Sequence, residues 1–363
     1  MSPLETEIRR RIAEAGPIPV SEYMALCLGH PQHGYYMTRD PFGTRGDFVT
    51  APEVSQMFGE LLGLWMAAVW QQMGAPPSVR VVEFGPGRGT LMSDALRAAR
   101  VLPGFLDAAS AHLVEISPVL KAKQQETLQG IAVPVAWHAS FDDVPAGPVI
   151  AVANEFIDAL PIDQAIKAKD GWHERHVGIG PDGRLAFVLA PAAIPGFERL
   201  LPRTAHDAPT GAVFEWRDLS VAVALGRRLT RQGGAALVID YCHSTSGPGE
   251  TLQAVGAHVF ADPLDRPGEH DLTAHVDFAA LMRAFTSAGA VGFGPLAQGE
   301  FLHRLGIDAR AARLKTDASP AQASAIDAAL ARLTGSRVRD MGHLFKSAAF
   351  AGPSSGVPPG FES

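Results

Sequence analysis

Three glycines at alternate positions, with an acid two residues ahead of the first, form the stretch of this 363-residue chain best suited to chemistry. The stretch is Glu83-Phe84-Gly85-Pro86-Gly87-Arg88-Gly89-Thr90. Gly85, Gly87 and Gly89 let a backbone turn tightly and approach a ligand with no Cβ in the way. A second acid, Glu115, follows 30 residues after Gly85 at the end of another apolar run. There a carboxylate can accept both hydroxyls of a ribose, or it can cap the helix that follows. A third polar group is Asn154-Glu155-Phe156-Ile157-Asp158-Ala159-Leu160-Pro161. Its acids face either a substrate or the positive end of a helix. Ser140-Phe141-Asp142 stands where an adenine ring would rest. Asp240 and Tyr241 close a further apolar run and are equally compatible with a structural role.

The elements that must position these residues can be read from the apolar pattern. Val79–Phe84, Ala111–Glu115, Val133–Trp137 and Val149–Ala153 read as strands, with helices over 90–100 and 117–129 between them. Such alternation implies a parallel sheet with helices on both faces, and ligands then bind beyond the carboxyl ends of the strands. Thr90 stands where a dinucleotide fingerprint needs its third glycine, so a nicotinamide cofactor is disfavoured. The glycines, the leading acid and Glu115 fit S-adenosylmethionine better, since it has no pyrophosphate and can pack its amino-acid moiety on the glycine backbone.

Around this centre the spacing predicts helices over 4–15 and about 20–28. A loop rich in glycine and aromatics follows (29–50), then a helix from Thr50 to about Met73 opened by a Thr50/Glu53 capping box. A β-hairpin (172–189) lies in an insertion over 166–217, a second, helical insertion spans 298–340, and the tail 352–363 reads as mobile. Residues 1–77 form an N-terminal helical and loop extension and 78–351 the main domain. His173 and His176 point to opposite faces of one strand, so no metal site is expected. A net charge of −7 leaves no global footprint for nucleic acid, and the Arg9–Arg11 run reads as a solvated helix face. Two cysteines far apart and the absence of a leader pattern or a long apolar run point to a cytoplasmic protein with no membrane insertion.

Taken together in order, these stretches resemble the MidA family. The matching segments are Gly29–Met37, Phe42–Glu53, Glu83–Thr90, His112–Glu115, Asn154–Pro161 and Asp271–Phe278. These are class I methyltransferase-like proteins whose members include a mitochondrial arginine methyltransferase of complex I assembly. Cys242, where a glycine is expected, and His275, where an aspartate is expected, depart from the pattern on the substrate side. The resemblance implies a doubly wound, Rossmann-like α/β fold with a seven-stranded sheet. It also implies S-adenosyl-L-methionine as donor and a protein arginine, on a complex I-type subunit or another protein, as acceptor. Cofactor contacts are expected from Glu83, Gly85, Pro86, Gly87, Gly89, Glu115, Ser140, Phe141, Asp142 and Asn154.

Arginine stays protonated throughout the physiological range, so an acceptor site for it needs carboxylates that clamp and orient the guanidinium. Glu155 and Asp158 are expected in that role, with Asp47 beside them. Tyr35, Tyr36, Gly46, Phe48 and Thr50 are expected in the lid. The rival readings are a small-molecule N- or O-methyltransferase and a donor-binding assembly factor without turnover. A homodimer is compatible with the sequence.

Overall fold

The computed structural model describes residues 1–41, 50–256 and 259–362. Two units are built from interleaved segments of the chain. The first comprises Met1–Asp40, Asp158–Asp218 and His243–Ala280; the second comprises Pro41–Ile157, Leu219–Cys242 and Leu281–Ser363.

The second unit holds the sheet that the alternating pattern anticipates. Its strands are β1 (Val79–Phe84), β2 (Ala109–Val114), β3 (Val135–His138), β4 (Val149–Asn154), β5 (Gly234–His243), β6 (Val291–Ala297) and β7 (Phe345–Ala351). They lie in the order β3-β2-β1-β4-β5-β7-β6. Pairings from β3 through β5 are parallel, and β7 runs antiparallel to both neighbours. Strand order reverses between β1 and β4, so the loops leaving these two strands diverge and open a crevice at their carboxyl ends. β4 is buried along its whole length, as a strand covered on both faces must be. The doubly wound α/β fold is thus as the alternation indicates, and the seven-strand path is the one the family resemblance implies.

Helices α1 (Ala51–Val54), α2 (Gln56–Gln72), α3 (Thr90–Ala98) and α4 (Pro118–Thr127) belong to the same unit. The single helix expected from Thr50 to Met73 is broken. Ser55 is extended at φ −164°, and its side chain caps α2 by accepting the Met57 N–H. Thr50 makes no side-chain cap, so the expected capping box is absent. On α2 the stripe Phe58, Leu61, Leu62, Trp65, Met66 and Val69 enters the core, as its spacing indicates.

Two glycines on α2 carry a packing signal that apolar periodicity does not show. A Cβ on Gly63 would lie 2.2 Å from the Ala95 carbonyl oxygen, and one on Gly59 2.7 Å from Asp94 Cβ. Helices α2 and α3 therefore meet backbone to backbone, which fixes the start of α3 beside the crevice. The buried Glu60 between these glycines accepts from Arg97 on α3 and Arg310 on the helix Ile307–Lys315. The tail, expected to be mobile, is packed: Trp65 Nε1 donates to the Pro359 carbonyl, and the Phe361 ring lies 5.1 Å from that of Phe301.

The first unit carries an antiparallel sheet of five strands: Ile18–Pro19, Ile162–Ala168, Gly171–Ile179, Leu185–Ala193 and Val213–Arg217. It includes the expected hairpin, and Trp172, Phe197 and Phe214 form its own core. His173 bonds the Ala190 carbonyl and Asp170, a structural arrangement. The Arg9–Arg11 run pairs with Glu5, Glu7 and Glu14 on its own helix and with Glu22 on the helix Val20–Gly29. Among the described residues no helix is long and apolar enough to cross a membrane.

Gly63→Ala tests the α2–α3 contact. The added methyl has no space against backbone, so stability should fall by about 1–3 kcal/mol in denaturant titration. Ala67→Gly, one turn further on, should cost only about 1 kcal/mol of helix propensity plus the small loss of one buried methyl.

Candidate functional site

The crevice between β1 and β4 is lined by Thr50, Pro52, Glu53, Glu83, Gly85, Pro86, Gly87, Arg88, Thr90, Leu91, Asn154 and Glu155. Three chain segments meet there: α1 with the residue before it, the glycine turn into α3, and the first residue beyond β4.

The glycine turn is shaped by backbone geometry. Gly85 sits at φ +59°, and a Cβ on it would lie 2.9 Å from Phe156 Cδ2. Only glycine satisfies both the left-handed backbone and this contact. Gly89, at φ +82°, caps α3. The turn is closed by the Gly89 N–H donating to the Pro86 carbonyl at 2.7 Å.

Glu83 is the last residue but one of β1 and is 3% exposed. One carboxyl oxygen takes the Met92 N–H at the start of α3, whereas Oε2 is buried with no partner among the described residues. Burial pushes the carboxyl up to about 8, the Met92 N–H opposing and the charge of Glu115 adding to the rise. Asn154 ends β4 at 9% exposure; its amide donates to Glu155 Oε1 at 3.1 Å, and its Oδ1 has no partner among the described residues. Glu83 Oε2 and Asn154 Oδ1 are thus two buried polar oxygens of one crevice with no hydrogen-bond partner among the described residues. Such groups are costly unless a ligand completes them.

Glu155 has its backbone at φ +51°, a region non-glycine residues rarely occupy. Strain of this kind costs about 1–3 kcal/mol and persists where surrounding contacts enforce it. Its N–H donates to the Ile239 carbonyl, and its Oε1 accepts from the Ala51 N–H at 3.1 Å as well as from Asn154. The next turn is fixed from β5, where the buried Asp240 accepts the Ile157 and Tyr241 N–H groups; Asp240 is structural.

Glu53 lies in the crevice, although its spacing suggested only a helix cap. Its Oε1 accepts the Thr90 hydroxyl at 2.6 Å, and Oε2 is 3.8 Å from the Arg88 guanidinium. Glu115 does not line the crevice. Its carboxylate accepts the Ser117 N–H and the Gln124 amide, which also donates to the Gly87 carbonyl while taking the Trp137 indole N–H. Glu115 is therefore tied to the glycine turn through Gln124, a link with no sequence signature. Ser140 and Asp143 cap a short helical turn, Asp142 is exposed, and the Phe141 ring packs 5.4 Å from Phe84.

In the first unit, Tyr36, Asp158 and Asp271 cluster. The Tyr36 hydroxyl donates to Asp271 Oδ1 at 2.8 Å, and burial with the charges of Asp271 and Asp158 holds that hydroxyl well above its usual pKa. Asp158 and Asp271 are both buried, and the Ala274 N–H donates to the Asp158 carbonyl. Tyr35 is fully buried, with Arg39 over its ring. Asp47, Gly46 and Phe48 lie outside the described residues.

Comparison with known proteins decides which family owns this arrangement. A family model described as an S-adenosyl-L-methionine-dependent methyltransferase matches residues 61–296. The chain is 40% identical over 327 residues to the protein arginine methyltransferase NDUFAF7, mitochondrial, of Xenopus tropicalis, covering 83% of this chain and 74% of that protein. The Homo sapiens protein of the same name is 38% identical over 335 residues, 85% of this chain and 75% of its own. A Burkholderia thailandensis protein crystallised with S-adenosyl-homocysteine superposes with a TM-score of 0.85 at 33% identity, covering 99% of this chain and 94% of that one. The chain belongs to the MidA-type S-adenosyl-L-methionine-dependent methyltransferases. The crevice suits that cofactor: glycines admit close approach, and the two orphaned oxygens call for a cationic donor such as an ammonium.

Glu83 makes this fit measurable. With its carboxyl near 8, it is mostly protonated at pH 7. A cation beside Oε2 favours the ionised form, so S-adenosyl-L-methionine binding at pH 7 should be accompanied by net proton release. Titration calorimetry in two buffers of different ionisation enthalpy reads this directly, and Glu83→Gln should bring the release close to zero. Because the folded-state pKa is raised from 4.5, this group's contribution to stability is present below pH 4.5 and lost as pH rises through 8. Glu83→Gln should therefore raise the ligand-free Tm at pH 8, and the gain should vanish toward pH 4.5.

Proposed function

We propose that this methyltransferase acts on a guanidinium nitrogen of a protein arginine. The observation that carries the reading is Glu155, a strained residue whose carboxylate is pinned at the edge of the glycine crevice. Relatives at 38–40% identity over more than four-fifths of the chain are named protein arginine methyltransferases, which supports the same acceptor. Glu83 and Asn154 are assigned to the amino-acid moiety of the donor, with Gly85, Pro86, Gly87 and Gly89 forming its backbone cradle. Glu115 is assigned to the ribose and Ser140–Asp142 to the adenine side.

When bound, S-adenosyl-L-methionine supplies an electrophilic methyl group on a sulfonium. The protein's own contribution is to orient the acceptor and exclude water. Glu155 accepts hydrogen bonds from the guanidinium, directs one nitrogen, and takes up the proton that this nitrogen must shed as it gains the methyl. A carboxylate already held by two donors keeps its orientation without further ordering cost, which favours an in-line approach. Asp158, buried beside Tyr36, is assigned as the second acidic group, and Asp47 as a third; Tyr35, Tyr36, Gly46, Phe48 and Thr50 are assigned to the acceptor side. The acceptor is a protein, with a respiratory complex I subunit as the specific expectation, and the absence of a disulfide between Cys27 and Cys242 supports action in the cytoplasm.

Labelled S-adenosyl-L-methionine added to lysate of a strain lacking the gene, with purified protein, should mark a protein band whose hydrolysate contains methylarginine. Glu155→Gln should reduce that labelling at least about 100-fold while weakening donor affinity by less than about tenfold. Label confined to small molecules, or labelling unchanged in Glu155→Gln, would contradict the reading.

A further inference from the structure

Glu53 has no part in the roles assigned above, yet it faces the crevice floor. Its helix, α1, is only four residues long and lends no useful dipole, so its carboxylate acts through its own charge. Three carboxyl groups line the crevice, Glu53, Glu83 and Glu155, against the single cation Arg88 among the described residues. At 3.8 Å the Glu53–Arg88 approach is too long for a hydrogen bond, and the closer partner of Glu53 is the neutral Thr90 hydroxyl. Among the described residues the lining thus carries more carboxyl groups than cations even when Glu83 holds its proton, and the buried oxygens of Glu83 and Asn154 suit a positive ligand.

That sign matters for a methyl donor. In the transfer the sulfur–methyl bond breaks and its electron pair stays on sulfur, so a sulfonium becomes a neutral thioether. The donor carries an ammonium, a carboxylate and the sulfonium, one net positive charge; the product carries none. We propose that Glu53 is a specificity-determining residue that makes the crevice hold the cationic donor in preference to its neutral product, so that turnover itself loosens the spent cofactor. This rests on the crevice being the donor site. A unit charge several ångströms away in a partly buried cleft changes affinity by about tenfold. The Thr90 hydroxyl holds Glu53 in place, at the position where a dinucleotide site would have glycine.

Calorimetric affinities of the full-length protein for S-adenosyl-homocysteine and for sinefungin, an unreactive analogue with an amine in place of the methylsulfonium, test this. In the wild type sinefungin should bind at least about tenfold more tightly than S-adenosyl-homocysteine. Glu53→Gln, which keeps an acceptor for Thr90, should shrink that ratio by about tenfold, chiefly through weaker sinefungin binding. Thr90→Ala removes the hydrogen bond but not the charge and should leave most of the ratio intact. A ratio unmoved by Glu53→Gln, or moved equally by Thr90→Ala, overturns the charge role. If the wild type binds neither ligand, the donor site itself is wrongly placed and both readings fall. Melting curves confirm that each variant is folded.

Discussion

Everything at the crevice depends on two parallel strands that leave a reversal in strand order with buried polar residues at their ends. β1 and β4 are adjacent, and their register places Phe84 opposite Ala153, so Glu83 and Asn154 arrive at the same end of the sheet. Each keeps one oxygen out of water with no partner among the described residues. A fold carries such groups at a cost of about 1–3 kcal/mol each. The cost is sensible only where a ligand returns it.

The local backbone follows from the same constraint. Gly85 turns left-handed because Phe156 occupies the space a side chain would need, and Glu155 turns left-handed because its N–H is held by Ile239 while its carboxylate is held by Ala51. Asp240 secures the next residue, Ile157, from β5. Helix α3 begins where it does because Gly59 and Gly63 let α2 approach its backbone. Packing far from the crevice thus sets the geometry within it.

Much of this was legible in the sequence because its periods are strong. Alternating apolar runs gave the strands, and the spacing of Glu83 from the glycines gave the turn. The fold and donor followed from those features together with the family resemblance. Less legible were interactions that depend on one side chain reaching a distant segment. Glu53 has the spacing of a helix cap, but Ser55 breaks the helix and frees Glu53 to reach Thr90. Gln124 reads as an ordinary helix residue, yet it joins Glu115, Trp137 and the Gly87 carbonyl. The bond between Tyr36 and Asp271 spans 235 residues and has no local signal. The proline- and glycine-rich tail looks unstructured by composition, but Phe361 finds Phe301 and is held there.

The central claim is that the buried oxygens of Glu83 and Asn154 are completed by the cationic end of the donor. A crystal structure of this protein with bound S-adenosyl-homocysteine tests it most directly. The ligand's ammonium should lie about 3 Å from Glu83 Oε2 or Asn154 Oδ1, against the Gly85–Gly89 backbone. A ligand seated elsewhere, or both oxygens bonded only to water beside a bound ligand, would contradict the account.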